Sequence, residues 1–261
     1  MATRFYLPST GEPASSPTFG AGWADTAGAT RREMVRSRIS SAFAEADRGA
    51  GGAGATQFEL IRQYVSSETL QAQTLTGTIK GVIRARETHA GAQCDLAIRV
   101  AVCAGDGTNI RQVLAVTSED AVAGAGNNTG AAPEFNISAG TSADLQNRRF
   151  ETGTATYDLT LTSTAIDAGD RLIVEIGYGD QSTSTTRYGI VECGDSHASD
   201  LAENQTGTDQ YNPWVEFSAD ITFGAAAENT IDQWMSRYEV RQGVKAHMVP
   251  SGMTPPDRID A

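Results

Sequence analysis

Lysine, cysteine and long apolar runs are scarce in this chain of 261 residues. Lys80 and Lys245 are the only lysines among its 20 basic residues. Such an arginine bias is typical of interfaces, where the planar guanidinium binds carboxylates, although a GC-rich genome produces it as well. No apolar stretch approaches the ~20 residues that a membrane-spanning helix needs, and the start lacks the pattern of a signal peptide. We therefore expect no membrane partner.

The three cysteines are Cys94, Cys103 and Cys193. An odd number is a poor disulfide framework. Cys94 and Cys103 also flank a predicted strand, and an extended strand holds its two ends too far apart for a disulfide. The cysteines are therefore predicted to be free thiols, made in a reducing cytoplasm.

The formal net charge is −12, and it is unevenly distributed. Residues 1–50 carry six arginines against five acids, whereas the remainder carries 14 basic residues against 27 acidic ones. An acidic body repels polyphosphate, which argues against a nucleic-acid partner.

Motifs that would identify an enzyme are missing. The sequence contains no nucleophile elbow, phosphate loop or dinucleotide fingerprint, and its three histidines are scattered, so we predict no cofactor. A glycosidase needs two carboxylates across a cleft, and Glu175 and Glu216 on the wet faces of predicted strands are the conceivable pair. Outward-facing acids are common on strands, however, and we expect no enzyme.

What the sequence does contain is a long series of segments with period-2 alternation. Apolar residues at 215, 217, 219, 221 and 223 alternate with polar ones, and the segments around 96–102 and 172–178 behave similarly. In the segment 74–86, Leu75, Ile79 and Ile83 share the predicted buried face with Gly77 and Gly81, and glycines at such positions suggest a bend or a close backbone approach. Alternation of this kind predicts sheets with one buried and one wet face, here an antiparallel, jelly-roll-like β-sandwich. The predicted strands are 58–65, 74–86, 96–104, 110–117, 149–152, 156–162, 171–179, 187–191 and 215–223.

Three regions follow from this pattern. Residues 1–57 are predicted to form an extended N-terminal arm with a short helix or strand, 58–223 the sandwich, and 224–261 a C-terminal arm with a short helix. The arms are seeded with aromatic residues that a purely flexible tail would not usually contain. They are predicted to anchor the arms, either on the chain's own sandwich or on a partner: Phe5, Tyr6, Phe19, Trp23, Trp234 and Tyr238.

The long loop 194–213 suggests two further sites. Asp195, Asp200 and Glu203 are oxygen donors of the kind that bind calcium, although solvated loop charge is the simpler interpretation. Trp214 lies on the predicted wet face, with Tyr188 and Tyr211 near it in sequence, so the three rings could form a platform for a sugar. Packing beneath loops or at a subunit interface is the competing interpretation.

Several segments resemble structural proteins of tailed bacteriophages. The similarity runs through about residues 1–223, and no functional residue can be transferred through it. The segments that carry it are 2–9 with Pro17, Phe19 and Trp23, then 64–66, 71–81, 170–177 and 213–218.

The resemblance implies a virion component made in the cytoplasm of a bacterial host. It predicts a capsid decoration or cement protein that contacts the major capsid protein through its arms, as a homo-oligomer. A tail, neck or fibre protein and a carbohydrate-binding attachment module are the alternatives.

Overall fold

The computed structural model describes residues 1–42, 44–47, 57–89, 92, 94–117, 135, 145–151, 156–180, 188–205 and 207–224. Within these ranges the secondary structure consists of strands and turns without any helix, so none of the described residues forms a helix that could cross a bilayer. Residues 1–224 form one compact unit. The chain is an all-β sandwich, as the alternation predicted.

The first sheet has seven strands and draws on both ends of the described chain. Its hydrogen-bonded order is β1, β14, β6, β13 and β3, and β9 and β10 also pair with β6. The strands are β1 (Thr3–Tyr6), β3 (Ala44–Asp47), β6 (Thr78–Glu87), β9 (Gln146–Arg149), β10 (Leu159–Thr160), β13 (Gly189–Cys193) and β14 (Trp214–Phe217).

Strand β6 is the centre of this sheet. β14 and β13 follow one another along one edge of it, and β10 and β9 along the other. The two glycines predicted on its buried side have separate roles. Gly77 has a φ of +94° and ends the preceding strand, whereas a Cβ on Gly81 would lie 2.8 Å from the backbone oxygen of Trp214. Gly81 therefore permits a close approach of β14.

The second sheet has five strands in the order β2, β4, β12, β7 and β8. All of its pairs are antiparallel except β2 with β4. A two-stranded sheet completes the fold. The five strands are β2 (Thr30–Met34), β4 (Gln57–Ser66), β7 (Cys94–Cys103), β8 (Arg111–Thr117) and β12 (Arg171–Asp180), and the small sheet pairs β5 (Gln73–Leu75) with β11 (Thr164–Ile166).

The main core lies between the two large sheets. Ile79 and Phe217 from the first sheet pack in the same cluster as Val100 and Val174 from the second. Ile221 and Phe223 join this cluster although the last strand ends at Phe217, so the alternation located buried residues correctly beyond the end of the strand. The three cysteines form no disulfide, as predicted, and all three are buried.

The N-terminal region does not stand apart from the sandwich. β1 pairs with β14, β3 with β13, and β2 adds a parallel edge strand to β4. The segment predicted as an arm thus supplies three strands to its own sandwich. The short helix or strand predicted within it begins at residue 30 as a strand, β2. The predicted C-terminal arm lies outside the described residues from 225 onward.

Candidate interaction surface

Seven charged side chains form a continuous ladder on the outer face of the seven-stranded sheet. In order of contact, the ladder consists of Arg38, Asp200, Arg4, Glu216, Lys80, Glu203 and Arg149. The nitrogen–oxygen distances along this order are 2.5, 2.8, 2.9, 3.5, 2.7 and 3.3 Å. The charges alternate in sign, and the ladder begins and ends with a cation.

Aromatic rings lie beneath the cations of this ladder. The guanidinium of Arg4 is 3.8 Å from the ring centre of Trp214, and that of Arg149 is 3.6 Å from the ring centre of Tyr157. Arg38 lies over Tyr6 at 5.5 Å. Stacking on a ring already restricts the arginine side chain, so little further conformational entropy is lost when the guanidinium also binds a carboxylate. The rings therefore help to fix the positions of the charges in the ladder.

The ladder joins strands β6, β9 and β14 to three further pieces of chain. Arg4 lies on β1, Arg38 on the segment that follows β2, and Asp200 in the loop 194–213. Exposed ion pairs each contribute about 0–1 kcal/mol, so the ladder fixes these pieces mainly by acting as a network.

The electrostatics of Asp200 follow from its position between two arginines. Burial raises the pKa of this carboxyl, but the hydrogen bonds and charges of Arg38 and Arg4 outweigh burial, and the net pKa lies below the usual value. Tyr6 donates its hydroxyl to Asp200 at 3.3 Å. Burial and the neighbouring Asp200 raise the pKa of Tyr6. At neutral pH, Asp200 is therefore an ionised carboxylate and Tyr6 a protonated phenol.

The three carboxylates predicted as calcium ligands each bind other side chains of the protein. Asp195 accepts from the backbone and ring nitrogens of His197, Asp200 binds Arg4 and Arg38, and Glu203 binds Lys80 and Arg149. Among the described residues no group of three or more potential metal ligands is found. A calcium ion at Asp200 or Glu203 would have to displace cations already in contact with them.

The predicted sugar platform is contradicted by the burial of its central residue. Trp214 is 1% exposed, and its indole nitrogen donates to the backbone oxygen of Leu201 at 2.9 Å. Loop 194–213 and β1 cover the face that the alternation assigned to water. Tyr211 packs in the same cluster, and Tyr188 packs against the main core. Trp214 and Tyr211 therefore pack with loop 194–213, which was the competing interpretation, whereas Tyr188 packs against the main core.

The outer face of the five-stranded sheet is covered by the N-terminal segment. Trp23 packs on Leu60 with Phe19 beside it, and its indole nitrogen donates to Glu175 at 2.7 Å. Glu175 is 0% exposed and also accepts bonds from Gly20 N (3.0 Å), Gln63 Nε2 (2.8 Å) and Arg99 Nη1 (3.0 Å). This buried carboxylate ties the segment to the sheet.

Glu175 and Glu216, the two carboxylates considered for a glycosidase, do not face each other. Glu175 points outward from the five-stranded sheet, and Glu216 points outward from the seven-stranded sheet, since their neighbours in sequence face the core between the sheets. The two groups lie on opposite outer faces. They cannot flank one substrate bond as that reaction requires.

The aromatic residues predicted to bind a partner pack within the chain itself, as far as the structure describes them. Phe5 is 1% exposed in the main core, where its ring meets those of Phe217 and Phe223 edge to face. Arg31 covers Phe19 at 3.9 Å. Trp234 and Tyr238 lie outside the described residues.

An open groove lies beside one end of the ladder. It is lined by Val35, Arg36, Ser37, Ile39, Ser67 and Glu68. The guanidinium of Arg36 binds both carboxylate oxygens of Glu68 and lies 4.2 Å from the ring centre of Phe223. Ile39 is 40% exposed. Among the described residues, Ile39 and Met1 are the exposed large hydrophobic side chains.

The ladder and the groove were not predicted from the sequence. Alternation placed Lys80 and Glu216 on outer faces, and these positions were the available signal. Nothing local could show that Arg4 and Arg38 meet Asp200, which is 196 and 162 residues away in sequence.

Comparisons with known proteins give no family. No family model matches the chain, and no curated protein matches it. Two structures of a CocE/NonD family hydrolase from Staphylococcus aureus match with TM-scores of 0.41 and 0.40 and 10% identity, covering 86% of this chain and 36% and 37% of theirs. An aminopeptidase from a marine sediment archaeon matches with a TM-score of 0.35 and 7% identity, covering 86% of this chain and 37% of its own. This chain thus spans little more than a third of these proteins, and similarity at this level supports no statement about activity.

Proposed function

We propose that this chain is a non-enzymatic structural component of a tailed-phage particle, and specifically a decoration protein that binds the capsid shell. The observation that carries the proposal is the way in which the chain's own segments cover both outer faces of the sandwich. The N-terminal segment covers one face through Glu175, and loop 194–213 covers the other through Trp214 and the charge ladder.

Such a body suits a particle surface. Its arginines and aromatic rings fix loops that would otherwise move, so little conformational entropy remains to be lost when the protein binds a lattice. The segments that resemble phage proteins support the same proposal. They include parts of β4, β6, β12 and β14, the strands on which this body is built.

The described residues favour a shell contact other than the N-terminal arm expected from the sequence, and the expected C-terminal arm lies outside them. The N-terminal aromatics expected to anchor an arm are used in the chain's own sandwich or covered by its own side chains. The groove around Ile39 combines exposed apolar area with charge. We therefore assign the shell contact to the body of the sandwich.

Cross-linking mass spectrometry on intact particles tests this function, with the copy number measured in the same digest. A copy number comparable to that of the major shell protein, with links to it, is the expected result. A few copies linked to tail or neck proteins would replace decoration by a role in the tail. Absence of the chain from purified particles would overturn a virion role altogether.

A further inference from the structure

The short segment 36–40 presents free backbone groups at the surface. Its amides and carbonyls form no hydrogen bond within the described part of the chain. Both flanks are fixed, since Val35 exchanges two backbone hydrogen bonds with Tyr6 and Ser41 donates to the backbone of Asp195. The segment is therefore held in position while its own donors and acceptors are not used by the described residues.

Apolar surface is exposed at the same place. Ile39 and Val35 line the groove, and Ile39 is 40% exposed. The other described hydrophobic residue with this much exposure is Met1, at the chain end. An aliphatic side chain that enters the groove would remove part of the exposed surface of Ile39 from water, which favours binding.

Two arginines beside the groove retain unused donors. Arg38 is 44% exposed and binds Asp200 through its Nε, and its terminal nitrogens form no bond among the described residues. Arg36 is 46% exposed and binds Glu68 through Nε and one terminal nitrogen, and its other terminal nitrogen has no partner in the described part of the chain. A guanidinium has five N–H donors in a planar fork that fits carboxylates.

We propose that this groove binds an acidic peptide segment of another protein of the particle. An aliphatic side chain of that segment contacts Ile39, its carboxylates bind the free nitrogens of Arg38 and Arg36, and its backbone bonds to residues 36–40. This inference rests on the proposed function, because it names the contact through which the protein binds its particle. Local charge complementarity selects the occupant: Arg38 and Arg36 have terminal nitrogens that form no bond among the described residues, and these donors suit carboxylates.

Site-specific photo-cross-linking in the assembled particle tests the inference. A photoreactive amino acid replaces Ser37 inside the groove, and in a matched control it replaces Gln112, an exposed residue of β8. The expected result is a link from position 37 to a different virion protein, in a peptide with Asp or Glu beside an aliphatic residue, and no such link from position 112. Ile39→Asp and Arg38→Ala are each expected to lower the yield about ten-fold.

The outcomes separate the two proposals. If particles contain the protein but position 37 gives no link, a link to a second copy of this chain, or a link that Ile39→Asp leaves unchanged, the groove proposal is overturned and the virion role stands. If particles lack the protein, both fall. Both substituted side chains are exposed, so equal melting temperatures of variant and wild type exclude misfolding as the reason for a lower yield.

Discussion

Glu175→Gln tests most directly whether the buried carboxylate holds the N-terminal segment on the five-stranded sheet. The carboxylate is fully buried and accepts hydrogen bonds from Arg99, Trp23, Gly20 and Gln63. Glutamine keeps the shape but removes the charge, and it directs an NH₂ group toward neighbours that are all donors. Arg99, 5% exposed, then remains as a buried cation without a carboxylate partner.

Removing one partner of a buried ion pair costs about 3–5 kcal/mol. For a domain of this size, that corresponds to a fall in melting temperature of roughly 6–20 °C. Urea denaturation followed by far-ultraviolet circular dichroism measures the free energy of unfolding. Trp23→Phe, which keeps an aromatic ring but removes one donor to a charged group, is expected to cost about 1.5–3 kcal/mol.

Glu216→Gln provides the matched control on the opposite face. Its carboxylate also contacts two cations, Arg4 and Lys80, but it is 18% exposed, and the expected loss is about 0–1 kcal/mol. If Glu175→Gln cost no more than Glu216→Gln, then the N-terminal segment would not be held by the buried carboxylate, and the account of that face would be wrong.

Four further outcomes are expected. The pKa of Asp200 is lowered in the folded state, so its stabilisation is present at neutral pH and is lost as the pH falls through that pKa; acid titration of unfolding should therefore be steeper in wild type than in Asp200→Asn. Gly81→Ala places a Cβ 2.8 Å from the Trp214 oxygen and should cost about 1–3 kcal/mol in urea denaturation. Burial and nearby Asp170 raise the pKa of the Cys103 thiol to about 11, so iodoacetamide at neutral pH should label it only after unfolding. Calcium should leave the melting temperature unchanged, and a rise on titration that Asp200→Asn abolishes would show that loop 194–213 binds it.

Alternation predicted the core well because it reports directly on which side chains avoid water. Leu75, Ile79 and Ile83 were assigned to one buried face, and all three lie in the main core. The two glycines of the same segment predicted a bend or a close backbone approach, and both occur. Gly77 separates two strands, and Gly81 lies against the neighbouring strand.

The outer faces could not be predicted in the same way. Alternation assigns every second residue to water, but Glu175 is covered by the N-terminal segment, and Trp214 by β1 and the loop that precedes it. Strand β1 has only four residues, and its pairing with β14 depends on residues more than 200 positions away. Local pattern carries no information about such contacts, so the ladder and the groove became visible only in the folded chain.

The pairing of β1 with β14 imposes an order on synthesis and folding. Thr3 lies opposite Phe217, and Tyr6 opposite Trp214. At ~5–20 residues per second, a ribosome needs roughly 10–40 s to make the ~210 residues that separate the two strands. During that interval Phe5 lacks the ring of Phe217 against which it finally packs. The seven-stranded sheet can therefore close only after translation has reached residue 217, and until then β1 is a strand without its partner that other chains can pair with.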